Sequence, residues 1–165
     1  MNNSREKDMD DLRKAYQTSV IIHNAIVASL FIYIILAELI RRQLAPFEGL
    51  VSDFDVPLLR YVLFAWAVFQ FILIRKIRGV LLKKASLENR EDIIIKLSRA
   101  SIITSALAEV PAIFGFILFI LGGLRNDFYV LLALSSVYLI VFFPKFQNWE
   151  KWARKDWQDA DRRML

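Results

Sequence analysis

The sequence predicts an all-α membrane protein, a bundle of four transmembrane helices followed by a C-terminal amphipathic helix at the membrane interface. The chain has 165 residues, and 56% of them are hydrophobic, which is high for a soluble domain. The apolar residues are concentrated in four runs, at 19–40, 57–74, 101–124 and 128–143. Each run is close to the ~20 residues that a helix needs to cross ~30 Å of hydrocarbon at about 1.5 Å per residue. Runs of this length should be helical, because lipid offers the backbone no other hydrogen-bond partners.

The basic residues predict the orientation of these helices. Eighteen of the 22 Lys and Arg lie in the polar segment 1–18, in the connection 75–100 or in the segment 145–165. The other four are Arg41, Arg42, Arg60 and Arg125. Because basic residues accumulate on the cytoplasmic side, the chain is predicted to span the plasma (inner) membrane with both termini in the cytoplasm. The predicted domains are a solvated tail at 1–18, the four-helix domain at 19–145 and the interfacial helix at 146–165.

The connections fit this topology. The outer connection 41–55 is bounded by Pro46 and Pro57, and the second outer connection, 122–127, contains two glycines typical of a tight turn. The inner connection 75–100 mixes apolar and charged residues. It is predicted to extend the second and third helices into the cytoplasm, with a break near 86–89.

The C-terminal segment has a regular aromatic pattern. Trp149, Trp152 and Trp157 share one helix face with Phe146. Since tryptophan is enriched at membrane–water boundaries, the three tryptophans are predicted to anchor an amphipathic helix in the headgroup region. Asp156 falls on the same face, so packing of the stripe on a protein surface is the alternative.

Composition excludes several classes of function. The chain has no cysteine, which rules out disulfides, thiol catalysis and thiolate metal sites. His23 is the single histidine, so a haem held by two histidines of one chain is ruled out as well. The basic residues flank apolar runs and form no separate basic domain, which argues against nucleic-acid binding despite a net charge of +5. No cofactor, metal site or catalytic motif is predicted.

Glu109 is the strongest candidate for a functional residue. It lies eight residues after Ser101, which corresponds to a depth of roughly 12 Å in the hydrocarbon. A carboxylate at that depth should be protonated, paired or in contact with a wet cavity, and such groups often bind protons or cations. Ser101, Ser105 and Glu109 form a polar stripe at i, i+4 and i+8, and Pro111 leaves the carbonyl of Leu107 without its helical donor. A neutral Glu within a packing seam is the alternative.

Gln70, His23 and Glu38 are further candidate polar residues within the apolar runs. Gln70 lies near the inner end of the second run, and His23 is at a similar depth in the first. If their faces turn inward, they form a polar cluster with Glu109, and the ion-binding candidates are then Glu109, Gln70, Ser105, Ser101 and His23. Glu38 precedes Arg41 and Arg42 by three and four residues, a spacing that favours a local salt bridge.

The segment 105–115, Ser-Ala-Leu-Ala-Glu-Val-Pro-Ala-Ile-Phe-Gly, resembles the carboxylate-bearing helix of the proteolipid (c-ring) subunits of rotary ATPases. The resemblance covers about 20 residues and implies that Glu109 is an ion-binding carboxylate. The second run is bulky and has no glycine before Gly79, unlike the glycine-rich partner helix of that family. As a whole, the chain resembles small four-helix bacterial membrane proteins of uncharacterised activity.

Three functions are compatible with these features. The first is a non-catalytic interaction or accessory subunit of a membrane complex, whose partners would be the lipid bilayer and other membrane subunits or further copies of the chain. The second is a proton- or cation-handling protein that uses Glu109. The third is an enzyme that acts on lipid at the inner interface.

Overall fold

The computed structural model describes residues 2–51, 56–83 and 90–151, and the described part is helical, with no strand. The helices are α1 (Asn2–Gln43), α2 (Val56–Lys83), α3 (Arg90–Gly122) and α4 (Arg125–Val141). Three segments are long and apolar enough to cross a membrane, namely Met9–Gln43, Pro57–Val80 and Ile94–Gly122. The prediction of an all-helical protein with long apolar helices is therefore confirmed. The helix α4 has 17 residues and is shorter than these three.

The helix α3 is the centre of the molecule. Helices α1, α2 and α4 each pack along it, whereas α1 and α2 make few contacts with each other. Few residues in the candidate spans of α1 and α2 are consequently buried, and α3 is the most buried of the three long apolar helices. This arrangement brings the middle of α3, including Glu109, within reach of side chains from three different helices.

The helices α3 and α4 approach each other closely at Gly115. A Cβ atom added there would lie 3.0 Å from the carbonyl oxygen of Phe128 and 3.1 Å from its Cα. Small residues at a helix contact allow the two backbones to come together. Phe119 and Phe128 fill the space toward the outer end, and their rings lie 6.0 Å apart.

The two outer connections pack on each other through glycines. Gly49 has a φ of 102° and Gly123 a φ of 65°, conformations that favour glycine because it has no Cβ. A Cβ at Gly49 would collide with the carbonyl oxygen of Leu121, and one at Gly123 would lie 2.8 Å from the backbone of Glu48. The amide of Leu50 donates to the carbonyl of Ile120 over 2.9 Å, so the first outer connection caps the last turn of α3.

The end of the bundle predicted to be cytoplasmic contains a small apolar cluster. The segment 2–18 is the first part of α1, and Leu12 is buried against Leu97 and Trp149. The Trp149 side chain is only 3% exposed, and its ring lies 5.6 Å from that of Tyr16. This packing fits the alternative stated for the aromatic stripe, contact with a protein surface, and anchoring at the membrane interface stays a prediction.

The predicted C-terminal segment and inner connection lie partly outside the described residues. Residues 146–151 are helical, whereas Trp152 and Trp157 lie outside the described residues. The expected break at 86–89 also lies outside them. The end of α2 at Lys83 and the start of α3 at Arg90 agree with helices that continue beyond the apolar runs.

Candidate functional site

The carbonyl groups that precede Pro111 accept hydrogen bonds from neighbouring helices. Pro111 has no N–H, so the carbonyl of Leu107 lacks its usual donor within α3. The Gln70 side-chain amide of α2 donates to this carbonyl through Nε2. Ser135 of α4 donates to the carbonyl of Ala108 over 2.7 Å. The proline therefore creates an acceptor that a polar side chain in the bundle interior satisfies.

Gln70 is almost completely buried, with 1% of its surface exposed. Its Oε1 atom has no hydrogen-bond partner among the described residues. Gln70 contacts the backbone of α3 and not the carboxyl group of Glu109. The expected cluster of Gln70 with Glu109 is therefore not formed as a direct contact, and the amide belongs to the α2–α3 interface.

His23 and Ser105 form a second polar contact, on the opposite side of α3. The Nδ1 atom of His23 lies 2.8 Å from the hydroxyl of Ser105, and both side chains are buried. The imidazole also packs edge-on against the ring of Phe143, with 5.0 Å between the centroids. Ser101, which the sequence places in the same stripe, is only partly buried and does not take part in this contact.

Glu109 is hydrogen-bonded by two hydroxyl groups of α1. The Ser29 Oγ atom lies 2.5 Å from Oε1 of Glu109, and the Tyr33 hydroxyl donates to the same oxygen over 2.9 Å. Ser29 and Tyr33 are four residues apart and therefore lie on one face of α1. The carboxyl group is partly buried, and neither of the two contacts involves Oε2.

The hydroxyl of Ser29 has two acceptors within reach. Its Oγ lies 2.6 Å from the carbonyl oxygen of Ile26 as well as 2.5 Å from Oε1 of Glu109. A serine hydroxyl carries a single hydrogen. The two acceptors therefore compete for this hydrogen, and the Tyr33 hydroxyl supplies a second donor to Glu109.

These contacts belong to a polar series along α1. From the cytoplasmic end predicted above, Ser19 lies 3.2 Å from Ser98, and the His23–Ser105 contact and the Glu109 group follow. Glu38 ends the series near the outer end of α1. At about 1.5 Å per residue, the rise from Ser19 to Glu38 is roughly 28 Å, close to the thickness of a bilayer core.

Glu38 has more partners than its local sequence predicts. Arg41 pairs with Oε2 over 2.8 Å, as the spacing predicts. In addition, the Tyr129 hydroxyl donates to Oε1 over 2.7 Å, and a guanidinium nitrogen of Arg125 lies 3.3 Å from the same atom. The Glu38 carboxylate thereby connects α1 to the start of α4. Since Glu38 and the two arginines are partly exposed, each pair contributes little to stability.

An ion pair between Arg60 and Asp127 connects α2 to α4. The Nε atom of Arg60 lies 2.7 Å from Oδ2 of Asp127, and a second guanidinium nitrogen donates to Oδ1 over 2.9 Å. Asp127 is buried, whereas the Arg60 side chain is about half exposed. Arg60 also lines an open outer pocket of about 700 Å³ between the two outer connections.

Sequence reasoning identified Glu109 but missed its two partners. Ser29 and Tyr33 are polar residues at i and i+4 inside an apolar run, and this spacing was the available signal. Asp127 was missed because it lies at a helix start, where an acidic residue is ordinary. Among the described residues, no group of three His, Asp or Glu side chains is placed to hold a metal ion.

The fold and the site define an all-α protein with three helices that can cross a membrane and a polar layer around Glu109 in its interior. Comparison with known proteins finds no match, since no family model, no curated protein and no solved structure is significantly similar to the chain.

Proposed function

We propose that the chain is a polytopic membrane protein with four spans and cytoplasmic termini, and that it acts as a non-catalytic subunit of a membrane complex. The fourth span is α4, whose 17 residues rise about 25 Å, enough for a hydrocarbon core when the helix has little tilt. The distribution of basic residues supports the orientation, and the close packing of α4 against α3 at Gly115 supports a common environment for both helices.

The main support for a role as a subunit comes from the position and exposure of Trp66. The candidate span of α2 runs from Pro57 to Val80, so Trp66 lies near its middle. Its side chain is 51% exposed, and its indole N–H makes no hydrogen bond to any described residue. Tryptophan is normally found at the membrane boundary, and its N–H finds a partner when it is removed from water. An acceptor on a neighbouring transmembrane protein would satisfy it.

Phe69 extends the same surface of α2. Its ring lies 6.1 Å from that of Trp66 and is equally exposed, at 51%. Aromatic side chains of this size are typical anchors of protein interfaces. Because α2 contacts the rest of the bundle mainly through α3, the face that bears Trp66 and Phe69 is open to another helix.

The assembly proposal is tested by gentle extraction of the protein from native membranes, followed by size measurement. We expect a defined complex larger than one copy of the chain. The double variant Trp66→Leu/Phe69→Leu keeps the surface apolar but removes the aromatic rings and the indole N–H, and it should release the chain from the complex. Phe31→Leu is the matched control, because Phe31 is an exposed aromatic residue of α1. A wild-type protein that elutes as a single copy would contradict the proposal.

A second candidate function is proton or cation handling at Glu109. Its support is the position of Glu109 inside an apolar helix, where two hydroxyl groups of α1 contact its Oε1 atom, because carboxyl groups in such surroundings often bind protons or cations. The polar series along α1 adds groups on both sides of the carboxyl. His23 and Ser29 are six residues apart, about 9 Å along the helix, so transfer between them requires water.

Ion flux through purified protein in liposomes tests this candidate. We expect Glu109→Gln to abolish dissipation of an imposed pH gradient, while Glu48→Gln, which changes an exposed carboxyl group of the first outer connection outside the polar series, leaves it intact. Folding of both variants is checked by their thermal unfolding. A Glu109→Gln protein with wild-type flux would exclude a role for this carboxyl in transport.

A further inference from the structure

A cavity with two arginines opens at the inner end of the bundle, between α2 and the end of α4. Its volume is about 460 Å³, and it is lined by Phe71, Arg75, Arg78, Gly79, Val141 and Phe142. It is separate from the Glu109 group and from the Trp66 surface. Its lining combines two permanent positive charges with apolar side chains, a combination that points to a ligand with an anionic part and an apolar part.

Both guanidinium groups line the cavity. Arg75 and Arg78 are three residues apart and therefore lie on the same side of α2. Among the described residues, neither of them forms an ion pair, whereas Arg41 and Arg60 at the other end of the bundle are paired with Glu38 and Asp127. The guanidinium of Arg75 lies over the ring of Phe71, 5.7 Å from its centroid, which holds the side chain beside the cavity.

The geometry points to the phosphate-bearing headgroup of an anionic phospholipid as the ligand, and we propose this assignment. Guanidinium groups bind phosphate oxygens through parallel N–H donors, and basic pockets between transmembrane helices are a known means of binding lipid headgroups. The apolar walls formed by Phe71, Val141 and Phe142 would contact the start of the acyl chains. The location in the cytoplasmic leaflet depends on the orientation proposed above, whereas the recognition of phosphate does not.

Gly79 is the lining residue of the cavity that has no side chain. A Cβ atom added there meets no other atom within 4 Å, so larger side chains fit at this position without disturbing the helix packing. Leucine at position 79 would occupy part of the cavity and leave its charge unchanged. A substitution at this position therefore distinguishes lipid binding inside the cavity from a general attraction between basic residues and anionic lipid.

Native mass spectrometry of the full-length protein in detergent tests the proposal. The probes are dioleoyl phosphatidylglycerol and dioleoyl phosphatidylcholine, which carry the same acyl chains. We expect preferential retention of phosphatidylglycerol. Arg75→Gln/Arg78→Gln should weaken it about tenfold, as loss of about 1.4 kcal/mol of charge-assisted hydrogen bonding would produce, and Gly79→Leu should also weaken it.

Lys76→Gln is the matched control, because Lys76 is an exposed basic residue of the same turn that does not line the cavity. It should retain wild-type binding. Glycerol phosphate is added as a competitor: failure to displace the lipid identifies the membrane lipid as the ligand, and displacement at equal concentration identifies a soluble phosphate compound. Equal retention of the two lipids, or equal weakening by Lys76→Gln and the arginine variant, would overturn the proposal.

Discussion

Tyr33 and Glu109 face each other across the interface of α1 and α3, where the phenol donates a 2.9 Å hydrogen bond to Oε1 of the carboxyl group. Ser29, one turn earlier on α1, contacts the same oxygen. This contact joins a flanking helix to the central helix at the depth where the sequence places a costly carboxyl group. It therefore bears both on the stability of the bundle and on any chemistry of Glu109.

Removal of the Tyr33 hydroxyl should destabilise the protein, because Glu109 loses a hydrogen-bond donor. We expect Tyr33→Phe to lower the free energy of unfolding by about 0.5–1.5 kcal/mol, the range for interhelical hydrogen bonds in membranes. In a Glu109→Leu background the same change should have almost no effect, because the acceptor is already absent. Unfolding in detergent mixtures measures the effect of Tyr33→Phe in the two backgrounds. Tyr61→Phe is the control, because Tyr61 is exposed. Additive losses would show that the two groups are not coupled.

The effects of substitutions at Gln70 and Pro111 should also be coupled. Gln70→Leu leaves the carbonyl of Leu107 without a donor, and we expect a loss of about 1 kcal/mol. Pro111→Ala supplies a backbone N–H to that carbonyl, so Gln70→Leu should be nearly neutral in the Pro111→Ala background. The four proteins of this cycle are compared by their free energies of unfolding. An equal cost of Gln70→Leu in both backgrounds would refute the proposed role of the amide.

Two glycines should respond differently to the same substitution. Gly115→Leu places a side chain against the backbone of Phe128, and we expect a loss of about 1–3 kcal/mol or failure to fold. Gly79→Leu should retain or raise the unfolding temperature, because the added atoms enter open space and leucine favours a helix more than glycine does. Thermal unfolding of the two variants compares them directly. Similar unfolding temperatures would mean that α3 and α4 are not in close contact at Gly115.

Trp149 should stabilise the first turns of α1. Its ring packs with Leu12 and Tyr16 at the cytoplasmic end, so Trp149→Ala should increase amide hydrogen exchange in residues 9–16, while residues 26–34 in the middle of α1 remain unchanged. The physical reason is that the early turns of α1 lose their buried apolar contacts. Unchanged exchange in residues 9–16 would show that Trp149 does not hold this segment.

The features that follow from local pattern were predicted well. Runs of apolar residues predicted the long helices, and the glycines of segment 122–127 predicted the turn before α4. The effect of Pro111 on Leu107 was also predictable, because it depends only on the geometry of one helix. The Glu38–Arg41 pair follows from helical spacing in the same way.

The features that depend on which helices are neighbours were not predictable. The sequence places Gln70, His23 and Glu109 at compatible depths but does not say that α1 and α2 occupy different sides of α3. His23 and Gln70 consequently bind different parts of α3, and Ser29 and Tyr33 take the position beside Glu109. Trp149 was assigned to lipid because its helix face is amphipathic, and the sequence alone does not distinguish a lipid surface from the buried partner Leu12.

Site-specific photocrosslinking from position 66 in native membranes tests the central proposal most directly. A photoreactive phenylalanine analogue at Trp66 should form a discrete adduct of higher mass that contains a second protein chain. The same analogue at Phe31 is the matched control and should yield lipid adducts only. Lipid adducts alone at both positions would contradict the role of the protein as a subunit that binds through α2.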